Sequence, residues 1–226
     1  MNIPSSIQTM PLAKDEEINA PLPSQCPSVL TDIYAEQNNI VIWKPPVTDT
    51  LLANIQSVLG NNGVINIIKK VDADSASDDI NSFLAPFEDS AALALHITEL
   101  VDMFCCLFDL SQVGLRLTKL EHAMCPRFHV DRVPCRLVST LHGAQGTQWL
   151  PNHIVKRQKL GLGNEGKPDD LSGLYADENN IQNVAPFDVV LLKGEAWDGN
   201  EGRGLVHRSP AITADTPRLV LTLDFV

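Results

Sequence analysis

The sequence is poor in basic and aromatic residues. Its 226 residues include 17 Lys and Arg against 28 Asp and Glu, which gives a formal net charge of −11, and aromatic residues make up 5%. Nucleic acids are bound through clustered basic side chains, so this balance argues against a nucleic acid as the main partner. The sequence also lacks the G-x-S-x-G turn of serine hydrolases and the H-E-x-x-H helix of zinc proteases.

Long uncharged apolar runs are missing too, and the first residues do not follow the pattern of a secretion signal. The most apolar stretch, residues 91–108, contains His96, Glu99 and Asp102, which argue against a membrane span. The N-terminus has no basic start followed by an apolar segment, so we expect no signal peptide. The five cysteines are an odd number, which favours free thiols in a reducing compartment. We therefore expect a cytoplasmic protein without a membrane partner.

The two halves of the chain differ in pattern. Residues 1–28 carry five prolines and predict an extended or poorly ordered arm. Residues 29–112 are mainly helical in pattern, with helices predicted at 29–37, 49–60, 78–87 and 90–110 and strands at 39–43 and 64–71. Residues 113–226 consist of short apolar segments between turn-rich loops, which is typical of a β sandwich or barrel. The prediction is one α+β domain over 29–226, in which N-terminal helices support a C-terminal β core.

Candidate metal ligands lie in the segment CPRFHVDRVPCR, residues 125–136. On an extended segment His129 and Asp131 point to the same face, so they can hold adjacent positions around one metal ion. His207, in the short apolar segment GRGLVHRSP, is the best candidate for a third ligand. Two histidines and one carboxylate are the donor set of non-haem iron(II) oxygenases. The alternative is that both histidines are hydrogen-bonded core residues and that Asp131 caps a turn.

Arg218 begins the strand-like segment RLVLTLDF. Alternation places Arg218 and Thr222 on one face and the leucines on the other. An arginine inside a barrel is costly unless it meets an anion, which a bidentate carboxylate would supply. Thr222 could add a hydroxyl donor. The alternative is an edge-strand arginine that faces water.

Arginines are concentrated near the candidate ligands. Six of the eight lie within eleven residues of His129 or His207: Arg127, Arg132, Arg136, Arg203, Arg208 and Arg218. Because arginine presents a planar fork to carboxylates and phosphates, these residues favour a small anionic ligand. Ordinary salt bridges to the surplus acidic residues are the alternative.

The order H-x-D, an apolar strand, a distal histidine and an arginine about ten residues later resembles the iron and 2-oxoglutarate dependent dioxygenases. The resemblance covers roughly residues 113–226. LHGAQGTQWLP resembles the glycine-containing hairpin of that superfamily, and APFDVVLLKGEAW is similar to the strand that is usually entered through Pro-Gly-Asp. CPRFHVDRVPCR and GRGLVHRSP also resemble blocks of an uncharacterised bacterial family without an assigned function.

The resemblance implies a distorted double-stranded β-helix, a jelly-roll or cupin-like core. It also implies Fe(II) held by His129, Asp131 and His207, and 2-oxoglutarate that chelates the iron while its far carboxylate pairs with Arg218. The protein would then be an oxygenase that oxidises a small-molecule or peptide substrate. Phe187 departs from the pattern, because many members have glycine before the aspartate.

Two other readings stay open. The β core could be a cupin-like protein that stores, senses or delivers zinc or another transition metal without turnover, or it could be a metal-free interaction protein. Separately, His122, Cys125, His129 and Cys135 could hold a structural zinc ion, and the alternative is that both cysteines are small buried apolar groups.

Overall fold

The structure, a computed structural model, describes residues 22–60, 64–212 and 216–226. Most of the predicted N-terminal arm, residues 1–21, lies outside the described residues. The arm's last residues belong to the folded domain, because Ser24 forms a β-bridge with Trp43 and a 3₁₀ helix begins at Pro27.

The main helices of the N-terminal half pack together on one side of the large sheet. They are the 3₁₀ helix Pro27–Tyr34 and the α-helices α1 (Asp49–Gly60), α2 (Ala76–Leu84) and α3 (Ala91–Phe108). Each lies where its periodic apolar pattern predicts it, with ends that differ by a few residues. Helix α3 ends at Asp109, which adopts a left-handed conformation with φ of 52° and bonds back to the carbonyl of Cys105.

Helix α3 is the core helix of this group. By length and composition it is the one helix of the described residues that could cross a membrane. Its apolar face is buried against the sheet through residues such as Leu93, Leu100 and Phe104, while Glu99 and Asp102 lie on the exposed face. Charged residues on the open face fit a helix that packs on a sheet in water.

Six antiparallel strands form the large sheet, in the order β1-β7-β4-β9-β3-β2. Their bounds are β1 (Ile40–Trp43), β2 (Asn66–Asp72), β3 (Gln112–Leu120), β4 (Cys135–His142), β7 (Val189–Lys193) and β9 (Arg218–Asp224). β1 and β2 come from the N-terminal half and occupy the two edges. The mixture of helices and antiparallel strands is that of an α+β protein, and the sheet draws on both halves of the chain.

Three short strands form the small sheet, in the order β6-β5-β8. They are β5 (Gln148–Leu150), β6 (Gln182–Asn183) and β8 (Val206–Arg208). Apolar residues join the two sheets, including Val138 and Val190 from the large sheet and Trp149 from the small one. The loop 152–182, which contains the short helix α4 (Asp169–Ser172), supplies Leu174 and Tyr175 to an apolar cluster with Phe128, Leu150 and Val206.

The segment of residues 121–134 is less regular than its extended pattern predicts. It contains no named strand, and it joins the small sheet through a single antiparallel bridge between His129 and His207. Pro126 and Pro134 lie within this segment, on either side of His129 and Asp131, and proline cannot donate to a sheet ladder. The bridge nevertheless brings the two histidines opposite each other.

Candidate metal centre

His129, Asp131 and His207 come together although 76 residues of chain separate the last two. Their potential ligand atoms all lie within 4.8 Å of one another, and among the described residues they are the group that could hold a metal ion. Nε2 of His129 lies 3.6 Å from Oδ1 of Asp131, and Nε2 of His207 lies 3.4 Å from Oδ2 of the same carboxylate. The paired backbone places the rings side by side, with centroids 4.5 Å apart.

Both histidines direct the same ring nitrogen towards the centre. Nδ1 of His129 donates to the carbonyl oxygen of Arg127 at 2.9 Å, and Nδ1 of His207 donates to that of Leu205 at 3.1 Å. Because a carbonyl oxygen can only accept, each Nδ1 carries a hydrogen and each Nε2 is free to bind a cation. Such hydrogen bonds fix the ring orientation of metal-binding histidines.

Arg136 fixes the orientation of the Asp131 carboxylate. One of its terminal nitrogens donates to Oδ2 of Asp131 at 2.7 Å, while its Nε donates to Oδ1 of Asp224 at 2.7 Å. Burial by itself raises the pKa of Asp131, but its contacts with His129 and His207 and the charge of Arg136 outweigh it. The pKa of Asp131 therefore lies well below its ordinary range.

Close backbone contacts hold the ligand segments in place. The amide of Glu195, just after β7, donates to the carbonyl oxygen of Asp131 at 2.9 Å. A side chain at Gly194 would meet the carbonyl oxygen of Val133 at 2.1 Å, and one at Gly204 would meet the Val130 side chain at 2.5 Å. These two glycines permit the approach of the chain around Asp131 and before His207.

The donor set suits a divalent transition metal. Bonds of about 2.0–2.2 Å to one ion place neighbouring ligand atoms about 3–3.5 Å apart, close to the distances between each imidazole and Asp131. The three residues offer two neutral nitrogens and one carboxylate, and they would leave other coordination positions open. The residues therefore fit Fe(II), and they fit zinc equally well.

Two of the metal ligands, His129 and His207, line a cavity between the sheets. It has a volume of about 70 Å³. Its lining includes His129 and His207, and from β9 Arg218, Val220 and Thr222. Thr222 thus lies where the alternation of β9 predicts it.

Arg218 is buried at the side of this cavity, with 3% of its surface exposed. β9 lies between β4 and β3, so the alternative of an edge-strand arginine facing water is wrong. One terminal nitrogen donates to Oγ1 of Thr140 at 2.8 Å, but Nε has no hydrogen-bond partner. Burial lowers the pKa of Arg218 to about 10. A buried guanidinium with an orphaned donor is the chemistry that a bound carboxylate would complete.

Gly143 makes space for the Arg218 side chain. Gly143 follows β4 and has a φ of 140°, which favours glycine. A side chain at this position would lie 2.7 Å from Cγ of Arg218. The position of Gly143 in the LHGAQG segment is therefore explained by its backbone conformation and by its contact with Arg218.

Only some of the clustered arginines reach the cavity. Arg136 and Arg208 line it, whereas Arg127, Arg132 and Arg203 do not. Arg208 also stacks over Phe128, with its guanidinium carbon 4.3 Å from the ring centroid. Arg116 lines the cavity as well, although it lies outside the cluster near the histidines. Arg116 lies between Leu115 and Leu117 in VGLRLTKL, and this alternation is the signal that could have placed its side chain on the face opposite the leucines.

The alternative zinc set of His122, Cys125, His129 and Cys135 is not assembled. The Cys135 side chain is buried in the core beneath the helices, on the face of β4 that points away from the cavity. All five cysteines are free thiols, as the sequence predicts.

Phe187 keeps a backbone conformation that usually requires glycine. Its φ is 67°, which is rare for a bulky residue. Its amide donates to the carbonyl oxygen of Thr140 at 2.9 Å, and its ring packs against the main core. Phe187 therefore adopts the turn conformation that a glycine would adopt at this position.

The chain belongs to the family described as "Protein of unknown function (DUF1826)", whose model matches residues 24–224. The predicted resemblance to an uncharacterised family is thereby confirmed, and that family has no assigned activity. No curated protein matches the chain.

Solved structures to which the chain is similar include three dioxygenases or hydroxylases. A rice dioxygenase for auxin oxidation has 12% identity and a TM-score of 0.45, with 88% of this chain and 77% of that chain covered. A Pseudomonas putida prolyl-4-hydroxylase has 14% identity and a TM-score of 0.44, with 88% and 97% covered. An N-substituted L-amino acid dioxygenase from Burkholderia ambifaria has 12% identity and a TM-score of 0.45, with 87% and 85% covered. At these values function has to be argued from the residues of the site.

Proposed function

We propose that this protein is a non-haem iron(II) oxygenase that uses 2-oxoglutarate to oxidise a small-molecule or peptide substrate. The observation that carries the proposal is the combination of two features in one cavity. The first is the His129–Asp131–His207 donor set, and the second is the buried Arg218 with an orphaned Nε. A metal-binding protein without turnover has no need of the second feature.

Each residue would have a defined task. His129, Asp131 and His207 would hold Fe(II), with the imidazoles oriented by backbone carbonyls and the carboxylate by Arg136. Arg218 would pair with the far carboxylate of 2-oxoglutarate, and Thr222 would offer a hydroxyl on the same face. When bound, the iron and 2-oxoglutarate would allow dioxygen, the oxidant, to react: 2-oxoglutarate and the substrate C–H bond would each supply two electrons, and the products would be succinate, CO2 and a hydroxylated substrate.

The shared cavity supports this assignment. His129, His207 and Arg218 all line it, and Asp224, which holds Arg136, lies on the same face of β9 as Arg218. A diacid that binds the metal at one end would therefore have the Arg218 guanidinium on the wall of the same cavity for its other carboxylate.

The same proposal includes a double-stranded β-helix as the core. From β3 onwards the chain passes back and forth between the large sheet and the small one, with β5 and β6 as consecutive strands of the small sheet, and the His129–His207 bridge adds residue 129 to the edge of the small sheet. Eight segments shared by two facing sheets are the pattern of a jelly roll. The metal ligands come from the small-sheet side and Arg218 from the large sheet, so the cavity lies between them.

Binding and turnover can be measured separately. We expect protein loaded anaerobically with Mn(II) to bind 2-oxoglutarate by calorimetry, and protein loaded with Fe(II) to form succinate and consume oxygen in the presence of ascorbate. His207→Ala should abolish both, because it removes a ligand. His153→Ala, an exposed histidine of the loop 152–182, is the matched control and should change neither.

Two outcomes would contradict the proposal. The absence of 2-oxoglutarate binding to the Mn(II) protein would remove its basis. Tight zinc binding that depends on His207, without 2-oxoglutarate binding and unaltered in Arg218→Met, would instead identify a metal-binding protein without turnover.

A further inference from the structure

The charges on the cavity wall are all of one sign among the described residues. Four arginines line the cavity: Arg116, Arg136, Arg208 and Arg218. No aspartate or glutamate is among the described lining residues. In a chain with a net charge of −11, this is a local positive field inside an acidic protein. A cleft of this kind concentrates small anions.

Two of these arginines are already neutralised. Arg136 pairs with Asp131 and Asp224 at 2.7 Å each. Arg208 lies 3.4 Å from Asp169 and donates from Nε to Gln148 at 2.9 Å. Their charges are therefore used in holding the site together.

The other two have no carboxylate within salt-bridge distance in the described part of the chain. Arg218 has Thr140, and Arg116 has only the thioether sulfur of Met124, 3.6 Å from NH1. A thioether is a weak acceptor and leaves the charge of a guanidinium uncompensated. The cavity thus offers two separate guanidinium groups to anions that come from outside the chain.

The two groups start from different places on the sheet. Arg116 on β3 lies opposite Thr222 of β9, and Thr222 lies four residues from Arg218 on the same face. Four residues of strand and one inter-strand step separate their backbones by about 14 Å. A co-substrate carboxylate that pairs with Arg218 therefore leaves Arg116 without an anion.

We propose that Arg116 binds an oxyanion group, a carboxylate or a phosphate, of the oxidised substrate, which is accordingly an anion. The inference rests on the proposed function in one respect, the assignment of Arg218 to 2-oxoglutarate. The bidentate fork of arginine matches both oxyanion groups.

The test uses full-length protein loaded with Mn(II) and saturated with 2-oxoglutarate. Inorganic phosphate and acetate are the probes, because each carries one oxyanion group and little else. Binding near the metal is read from the paramagnetic relaxation of the probe's ³¹P or ¹³C signal, with Mg(II)-loaded protein as the diamagnetic reference. The stronger of the two probes identifies the oxyanion class.

Three substitutions separate the two anion positions. Arg116→Met should weaken probe binding at least tenfold and change 2-oxoglutarate affinity less than threefold. Arg116→Lys, which keeps the charge but loses the fork, should weaken probe binding two- to fivefold. Arg132→Met, at an exposed arginine outside the cavity, is the matched control and should change neither affinity. Arg116→Lys also carries the test if the methionine variant does not fold.

The outcomes are distinct. Probe binding that is absent in the wild type, or equal in wild type and Arg116→Met, would overturn the inference. A tenfold loss of 2-oxoglutarate affinity in Arg116→Met with probe binding retained would also overturn it, because Arg116 would then belong to the co-substrate. If wild-type protein without bound 2-oxoglutarate still shows Arg116-dependent probe relaxation and never binds 2-oxoglutarate, the proposed function fails and the anion position stands.

Discussion

The two faces of β9 differ sharply in the side chains that they carry. On the helix side Leu219, Leu221 and Leu223 are completely buried in the main core. On the cavity side the same strand carries Arg218, Thr222 and Asp224. Alternation along a strand makes it possible for one sequence of seven residues to serve both purposes.

The comparison indicates where stability and binding are located. The leucine face contributes through burial of apolar area, which is the main favourable term in folding. The cavity face holds a buried guanidinium with an unpaired donor, which costs free energy unless a ligand meets it. We therefore expect substitutions on the first face to change unfolding and substitutions on the second to change ligand affinity.

The largest effect is expected from Leu221→Ala on the helix side. Removing a buried leucine side chain costs about 2–5 kcal/mol of the free energy of unfolding. Urea unfolding of the metal-free protein measures this cost, and Mn(II) affinity of the folded variant should stay within a factor of two. A large loss of metal affinity in a folded variant would show that the faces are coupled.

Lys193 is a buried cation on the helix side, so it tests whether a charged group on that side affects stability. It is 2% exposed, donates to the carbonyl oxygen of Ala35 at 3.0 Å and lies 4.7 Å from the centre of the Trp197 ring. Burial lowers the pKa of Lys193 to about 8, from the ordinary 10.5. Between these values the unfolded chain binds more protons than the folded one, so this lysine makes stability rise with pH.

The measurement compares wild type with Lys193→Met by urea unfolding at intervals from pH 8 to pH 10.5. The free energy of unfolding of the wild type, relative to that of the variant, should rise by at most about 3 kcal/mol from pH 8 to pH 10.5. All other titrating groups are shared by the two proteins and cancel in the difference. Parallel pH profiles would contradict the assignment.

Arg218→Met should affect binding and leave stability nearly unchanged. Loss of a charged hydrogen-bonded pair costs about 2 kcal/mol, which corresponds to about 30-fold weaker binding of 2-oxoglutarate to the Mn(II) protein. The free energy of unfolding should change by less than about 1 kcal/mol in either direction, because the lost bond to Thr140 is offset by removal of a buried unpaired donor and no buried carboxylate is left behind. Calorimetry and urea unfolding give the two values, and a variant that is strongly destabilised with normal affinity would reverse the expected pattern.

Gly143→Ala should have the smallest effect on 2-oxoglutarate affinity, and it has a closely matched control variant. The added methyl group would press on Cγ of Arg218, so we expect about fivefold weaker 2-oxoglutarate binding, about 1 kcal/mol. Gly173→Ala is the matched variant, since Gly173 also has a positive φ, of 77°, but has open space around it. Both should lose some stability through backbone strain. Equal 2-oxoglutarate affinities in the two variants would show that Gly143 does not influence ligand binding through Arg218.

The sequence predicts these two faces well because strand alternation is a local property. The apolar spacing of α3 and the alternation in RLVLTLDF are determined by neighbours a few residues apart, and the structure agrees with both. The juxtaposition of His129 with His207 was predicted from residue chemistry and chain order, and the cross-strand bridge supplies it.

Other features depend on contacts between distant parts of the chain. The pairing of Arg136 with Asp224 requires the register of β4 against β9, which no local pattern determines. The addition of β1 and β2 to the edges of the sheet likewise follows from packing. Arg116 was missed because proximity in sequence to the histidines was used as a guide to proximity in space.

The most direct measurement is an anomalous X-ray difference map from crystals of protein loaded anaerobically with Mn(II) and 2-oxoglutarate. The account predicts one strong peak within about 2.0–2.3 Å of Nε2 of His129, Nε2 of His207 and a carboxylate oxygen of Asp131. It also predicts density for the co-substrate that extends from the metal to Arg218. A metal peak elsewhere, or an occupied site with Arg218 still unpaired, would contradict it.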